Sequence, residues 1–297
     1  MKPFTSERVT LRGLSHRVLS WGDPRAPRLF LLHGWMDVGA SFQFLVDALA
    51  HPWHVIAPDL RGFGQSEWSA QGYWFADYVA DLDALLDHYA PEAPVNLIGH
   101  SLGGNVVLHY AGVRPDRVAK LVSLEGFGIP AEDAEQAPKK LARWLDALRA
   151  PIAFADYADL DAVAARLVKN NPRLSREKAM FLASEWAELR ADGRAHLRSD
   201  PRHKLPFPTV YRMEEVYAIW RGIRAPTLWL AALQSHIPEW LNDHPEGEGA
   251  PETLAGVRRR IAHIAHAKLV TIDDASHMLH HDQPGAVARA IEGFLLH

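Results

Sequence analysis

Short apolar runs alternate with longer segments of helical periodicity up to residue 124 and again near the C-terminus. In the clearest helical segment, Tyr73 to Tyr89, Val79, Leu82, Leu85 and Leu86 recur at helical spacing. Alternation of this kind favours a mostly parallel sheet with helices on both faces. Strands are predicted over 9–11, 17–21, 28–32, 53–57, 95–98, 118–124, 227–233 and 268–272, and further helices over 42–50, 102–110, 253–263 and 285–296.

The alternation stops between Gly128 and Arg221, where the pattern predicts only helices and polar loops. We therefore expect an α/β core made of residues 1–127 and 222–297, with a helical cap over residues 128–221 inserted between two core strands. An insertion above the carboxyl ends of parallel strands covers the position where α/β sheets bind ligands. The cap is rich in aromatic side chains, and we expect it to control the size of the substrate.

Composition narrows the class of protein. A chain of 297 residues with 48% apolar residues fits one large α/β domain with an insertion. The formal net charge of −4 is spread without a basic stripe, which argues against nucleic acid as a partner. The absence of cysteine excludes disulfides and thiolate catalysis. The sequence begins without an apolar leader and has no apolar run long enough to span a membrane, so we expect a cytoplasmic protein.

The clearest chemical motif is Gly99-His100-Ser101-Leu102-Gly103, between a predicted strand and a predicted helix. This is the context of a Gly-x-Ser-x-Gly nucleophile turn, in which a serine stands on a strained backbone. Glycines on either side allow the strand and the helix to approach closely. The motif predicts Ser101 as a nucleophile, and it predicts the backbone N–H groups of Leu102 and Trp35 as an oxyanion hole.

Three further motifs accompany this turn in a fixed order along the chain. They are His33-Gly34-Trp35 after a strand, the loop Asp59-Leu60-Arg61-Gly62-Phe63-Gly64-Gln65-Ser66, and Ser276-His277-Met278 after the last strand. Together the four motifs resemble the α/β-hydrolase superfamily. With His33-Gly34-Trp35-Met36-Asp37 and Asp200-Pro201-Arg202 added, the chain looks closest to the serine hydrolase-like proteins. The resemblance implies an α/β-hydrolase fold. It also implies that His33, Asp59, Arg61 and Ser66 brace loops near the site rather than take part in the reaction.

The general base is expected to be a histidine on the loop after the last strand. His277 fits, because Ser-His-Met-Leu is followed by Gln283-Pro284, whereas His280 and His281 are nearby rivals. A histidine suits the role because its ordinary pKa lies near neutrality, so it can take the serine proton and return it to the leaving group.

The acid is less obvious. In the superfamily it usually follows the strand that corresponds to residues 227–233, but the expected position near Ser235 carries no carboxylate. Some members place it at the end of the preceding strand, where this chain has Glu125. The resemblance therefore implies Glu125 as the acid, with Glu239 and Asp243 as alternatives.

These residues predict a cofactor-free serine hydrolase that cleaves a small or medium apolar ester, lactone or thioester through an acyl-enzyme on Ser101. C–C bond hydrolysis and acyl transfer on the same scaffold remain alternatives, as does a catalytically silent receptor. A serine at the turn argues against dehalogenase and epoxide hydrolase chemistry, which needs a carboxylate nucleophile. No zinc-protease or nucleotide motif is present, so neither a metal nor a cofactor is expected.

Overall fold

The computed structural model describes residues 1–241 and 254–297, except for the side chain of Glu239. Its strands are β1 (Phe4–Leu11), β2 (Leu14–Trp21), β3 (Arg28–Leu32), β4 (His54–Pro58), β5 (Val95–His100), β6 (Val118–Leu124), β7 (Ala187–Leu189), β8 (Ala195–Leu197), β9 (Thr227–Ala232) and β10 (Ala267–Ile272). The α-helices are α1 (Gln43–Ala48), α2 (Phe75–Tyr89), α3 (Leu102–Val113), α4 (Ala137–Ala147), α5 (Leu160–Asn170), α6 (Arg176–Trp186), α7 (Met213–Trp220), α8 (Ile237–Leu241), α9 (Ala255–Ile261), α10 (Leu279–Asp282) and α11 (Pro284–Leu295).

Eight of these strands form one sheet in the order β1-β2-β4-β3-β5-β6-β9-β10. The six from β4 to β10 in this order run parallel to one another. At the other edge β1 and β2 form an antiparallel hairpin, and β2 also pairs antiparallel with β4. The predicted α/β class and mostly parallel sheet are therefore confirmed. Because the inner strands run parallel, their carboxyl ends share one edge of the sheet, and the loops after β3, β5, β6, β9 and β10 meet there.

Two apolar layers cover the sheet. On one face α2, α3, α7 and α9 pack around Leu82, Val107 and Trp220. On the other face α1 and α11 pack around Leu45 and Ile291. Helices on both faces explain why the inner strands are continuous apolar runs rather than alternating patterns. Within the described residues, no helix is long and apolar enough to cross a membrane.

The segment between β6 and β9 contains α4 to α7. Helices α5 and α6 bury a small apolar cluster of their own around Val163 and Leu182, which is joined by Phe44 from the core. Helix α7 instead packs on the core, where the Ile219 backbone lies directly against Gly112 of α3.

The expectation that this segment holds only helices and loops is wrong at one place. Strands β7 and β8 form a two-stranded antiparallel hairpin. Each strand has three residues, which is too few to show an alternation of apolar and polar positions. The one hairpin signal in the sequence is the Asp192-Gly193 pair in the turn, where Gly193 has φ +81°.

Candidate active site

Ser101 stands between β5 and α3 with φ 51° and ψ −113°, a backbone conformation that is costly for a residue other than glycine. The turn is closed so tightly that a Cβ atom on Gly99 would overlap the backbone of Gly103, and one on Gly103 would overlap that of Leu32. Strand–turn–helix geometry therefore follows from the two glycines. It presents Ser101 at the carboxyl edge of the sheet, at the first turn of α3.

Glu125 follows β6 directly and is 2% exposed. Its Oε2 atom lies 3.3 Å from Nδ1 of His277, on the loop after β10. Its Oε1 atom accepts a hydrogen bond from the Ala232 N–H at 2.7 Å. Glu125 also has a positive φ of 56°, a strained backbone that turns its side chain between the ends of β6 and β9. The structure thus brings Glu125 and His277 together.

The position after β9 that lacks a carboxylate is occupied by Ser235, and its hydroxyl donates a hydrogen bond to Oε2 of Glu125. Sequence reasoning noticed the missing acid but not this contact, because the partner lies 110 residues away along the chain. Of the alternative acids, Asp243 and the side chain of Glu239 lie outside the described residues.

The loop after β3 lies against the nucleophile turn. A Cβ atom on Gly34 would be 3.2 Å from the Cβ atom of Ser101. The Gly103 N–H donates to the His33 carbonyl oxygen at 3.1 Å. Leu102 begins α3, whose first-turn N–H groups have no partner within the helix. Trp35 follows Gly34 directly and Leu102 follows Ser101, and both residues line the same space next to the nucleophile turn.

His33 and Asp59 fix the loops around this space. The Nδ1–H of His33 donates to the Gly34 carbonyl at 2.7 Å, while its Nε2 accepts from the Leu60 N–H at 2.9 Å. This pattern belongs to a neutral ring, and burial lowers the pKa of His33 to about 4. Asp59 accepts from the Gly39 and Gln65 N–H groups. Both side chains thus use their hydrogen bonds to hold loop backbone in place.

The rival histidines, His280 and His281, lie in α10 and are almost completely buried. Both rings turn toward Ser41, whose Oγ lies 3.4 Å from Nε2 of His280 and 2.9 Å from Nε2 of His281. Burial lowers the pKa of His281 to about 4. Neither ring has a hydrogen bond to Glu125 among the described contacts.

A cavity of about 220 Å³ opens beside the nucleophile turn. Trp35, Leu102 and the start of α2 contribute to its lining. Another part of the wall comes from the segment between β6 and β9. Most of that part is aromatic or aliphatic, and it consists of Trp144, Leu148, Arg202, His203, Leu205, Pro206, Phe207 and Pro208.

The junction between this segment and the core is fixed by Asp200, Tyr73 and His203. The Asp200 carboxylate accepts a hydrogen bond from the Tyr73 hydroxyl at 2.8 Å. The His203 ring stacks between Phe63 and Tyr73, with centroid distances of 3.8 and 3.7 Å. This contact holds one wall of the cavity against the loop that contains Arg61 and Ser66.

Potential metal ligands occur together at one place among the described residues. Asp37, His100 and His280 each contribute a ligand atom, and these atoms lie within 4.8 Å of one another. The three residues come from the loop after β3, the end of β5 and α10, so their spacing along the chain carries no metal motif.

Comparison with known proteins places this architecture in a family. The family model described as "alpha/beta hydrolase fold" matches residues 27–284. A 3-hydroxybutyrate-oligomer hydrolase of Cupriavidus necator is 28% identical over 92% of this chain and 90% of that protein. A serine hydrolase-like protein of Danio rerio is 34% identical over 38% of this chain and 35% of that protein.

Among solved structures, the thioesterase domain from the curacin biosynthetic pathway has a TM-score of 0.83 at 24% identity and covers 97% of this chain and 99% of that domain. At this level of identity the likeness concerns the fold alone. The match of the family model, together with the sheet order and the serine turn, leads to one conclusion: the chain belongs to the α/β-hydrolase fold family and is a hydrolase of that type.

Proposed function

We propose that this chain is a serine esterase in which Ser101, His277 and Glu125 form the catalytic triad. The observation that carries the proposal is the contact between Nδ1 of His277 and the buried Glu125 carboxylate, at the same sheet edge as the strained Ser101. A carboxylate at this nitrogen selects the tautomer in which Nε2 is free to accept the serine proton.

The reaction would proceed in two half-reactions. Ser101 Oγ attacks the acyl carbon while His277 takes its proton, and the oxyanion lies against the N–H groups of Trp35 and Leu102. His277 then protonates the leaving alcohol. Water, activated by the same ring, hydrolyses the acyl-enzyme and restores Ser101.

The substrate would be an ester with an apolar acyl group of small or medium size. The cavity next to Leu102 supports this, because it is lined by Trp144, Phe207 and other apolar side chains and measures about 220 Å³. The similarity to a 3-hydroxybutyrate-oligomer hydrolase supports the same bond type, because oligomers of a hydroxy acid are joined by ester bonds. We also propose that residues 128–221 act as the cap. Within this cap, helix α4 lines the cavity and selects the acyl group.

A fluorophosphonate probe tests the proposal directly. It phosphonylates an activated serine, so the intact mass of the protein should increase by one adduct, and a p-nitrophenyl ester should be hydrolysed by the unlabelled protein. Ser101→Ala should abolish labelling and lower kcat by roughly six orders of magnitude. The control is Ser184→Ala, which removes a hydroxyl that bonds only within α6.

Each outcome has a clear meaning. Labelling that survives Ser101→Ala, or ester turnover near the wild-type rate in that variant, would contradict the proposal. Wild-type protein that neither labels nor turns over esters would favour the silent receptor. Labelling without ester turnover would contradict the esterase assignment and would favour C–C bond hydrolysis or acyl transfer.

A further inference from the structure

A cluster of buried side chains lies behind the nucleophile turn and has no part in the proposed hydrolysis. Asp37, His100 and His280 are 3%, 2% and 0% exposed, and their ligand atoms lie within 4.8 Å of one another. Buried polar groups are costly unless they are hydrogen-bonded. Each buried polar atom of this cluster is therefore expected to have a hydrogen-bond partner.

One ring nitrogen of His100 has no hydrogen-bond partner among the described residues. Its Nε2 lies 2.8 Å from the His277 carbonyl oxygen, which can only accept, so Nε2 carries the hydrogen. With that hydrogen on Nε2, the neutral ring keeps its lone pair on Nδ1. Nδ1 is buried and has no hydrogen-bond partner among the described residues.

His280 repeats the arrangement. Its Nε2 lies 3.4 Å from Ser41 Oγ, and the hydrogen of that hydroxyl is donated to Oδ2 of Asp37 at 2.8 Å. Nε2 is therefore the nitrogen that carries the hydrogen, and Nδ1 is the bare one. This Nδ1 is also buried and has no partner in the described part of the chain.

The third member is a carboxylate already held in place by donors. Oδ1 of Asp37 accepts from the Val38 N–H at 2.9 Å and from Nε1–H of Trp186 at 3.1 Å. The cluster thus combines an anchored carboxylate with two imidazole lone pairs that have no donor. A cation would give both lone pairs a partner, and the neighbouring carboxylate would balance its charge.

We propose that Asp37, His100 and His280 form a binding site for a divalent transition metal ion such as Zn²⁺. Two imidazoles and one carboxylate are a ligand set that Zn²⁺ accepts. Metal-bound histidines generally donate their second ring nitrogen to an oxygen, as His100 does to the His277 carbonyl and His280 to Ser41. The sequence carried no sign of this site, because its ligands lie far apart along the chain.

Binding requires a small movement of the ligands. Tetrahedral coordination at roughly 2.1 Å brings ligand atoms to about 3.4 Å from one another, which is closer than the 4.8 Å limit found here. His280 belongs to the four-residue helix α10, directly beyond the His277 loop. His100 directly precedes Ser101 and holds the His277 carbonyl. We therefore expect occupancy to draw His100 and His280 together, to displace His277 and to slow the esterase reaction.

Cobalt titration tests the site without relying on activity. Untagged protein, freed of metal by a chelator, should bind one equivalent of Co²⁺ with the visible absorption of a nitrogen- and oxygen-ligated ion, and Zn²⁺ should displace it. Zn²⁺ should also raise the melting temperature. Asp37→Asn and His280→Gln should each weaken Co²⁺ binding about tenfold or more. The matched control is His109→Gln, which removes a buried ring bonded within α3.

The outcomes separate this site from the proposed esterase function. Absence of a one-equivalent Co²⁺ spectrum in the wild-type protein would overturn the site, even if neither variant folds. Equal Co²⁺ affinity in the wild-type protein, Asp37→Asn and His280→Gln would assign the binding to surface histidines and would overturn it as well. The predicted inhibition by Zn²⁺ rests on the proposed function, whereas the spectrum and the melting temperature do not.

Discussion

At the scale of single residues, the two oxygens of Glu125 have different tasks. Oε1 accepts the Ala232 N–H, while Oε2 faces both the Ser235 hydroxyl and Nδ1 of His277. In Glu125→Gln the amide oxygen must take the place of Oε1, because an NH₂ group there would oppose the Ala232 N–H. The NH₂ group would then face His277 and donate to Nδ1. That contact holds the wrong tautomer, so kcat should fall on the order of 10⁴-fold. Steady-state kinetics with a p-nitrophenyl ester measures the loss.

Ser235→Ala is the matched test of the same carboxylate. It removes one hydrogen bond to a charged group, which corresponds to about 10- to 100-fold in kcat, while the carboxylate itself remains. The loss should therefore be much smaller than in Glu125→Gln. If Glu125→Gln kept most of its activity, or lost stability rather than rate, Glu125 would be a structural carboxylate, and the acid would have to be sought at Glu239 or Asp243.

At the scale of elements, α4 provides one wall of the cavity with Trp144, while Leu141 on the same helix is 47% exposed and does not line it. Trp144→Ala removes a large apolar group from a cavity of about 220 Å³. We expect kcat/KM for an octanoyl ester to rise relative to an acetyl ester, by about tenfold, because contacts with a few methylene groups change transition-state binding by that order. Rates on acetyl, butyryl and octanoyl p-nitrophenyl esters measure the shift.

Leu141→Ala serves as the control for this element, since it shortens an exposed side chain on the same helix. It should leave the ratio of octanoyl to acetyl rates unchanged. An unchanged ratio in Trp144→Ala, or an equal shift in both variants, would mean that α4 does not select the acyl group.

At the scale of the whole molecule, buried neutral histidines link stability to pH. Burial lowers the pKa of His33 and of His203 to about 4, below the ordinary value of 6.5. Between these values the unfolded chain binds more protons than the folded one. The free energy of unfolding should therefore reach its full value above about pH 6.5 and decrease as the pH falls toward 4. The slope should be up to about 1.4 kcal/mol per pH unit for each ring. Urea unfolding across this range measures the slope.

His203→Phe tests the contribution of one of these histidines to the pH dependence. The ring lies between Phe63 and Tyr73, so phenylalanine preserves the stacking. It removes the titrating group together with the 3.4 Å contact between Nδ1 and the Tyr78 hydroxyl, whose loss does not depend on pH in this range. The slope should become shallower by about 1.4 kcal/mol per pH unit over the same range. An identical slope in His203→Phe and the wild-type protein would show that His203 is not protonated on unfolding.

The sequence by itself determined the sheet and the nucleophile turn. Apolar runs mark the inner strands because both faces of a parallel sheet are buried, so the signal is local and continuous. Ser101 could be identified for a similar reason, since its motif is contiguous in the chain and Gly99 is required by a contact with Gly103 inside the same turn. The β7–β8 hairpin was not predicted, because strands of three residues are too short to show the two-residue hydrophobic period of a β-strand.

Only the tertiary structure decided which distant groups meet. Glu125 could be favoured over Glu239 and Asp243 by resemblance, but its contacts with His277 and Ser235 depend on the register of β6, β9 and β10. The cluster of Asp37, His100 and His280 has no sequence signal at all, because it joins the loop after β3, the end of β5 and helix α10. Local hydrophobic periodicity determines where helices and strands form. Which strand ends lie next to one another depends on the order of the strands in the packed sheet.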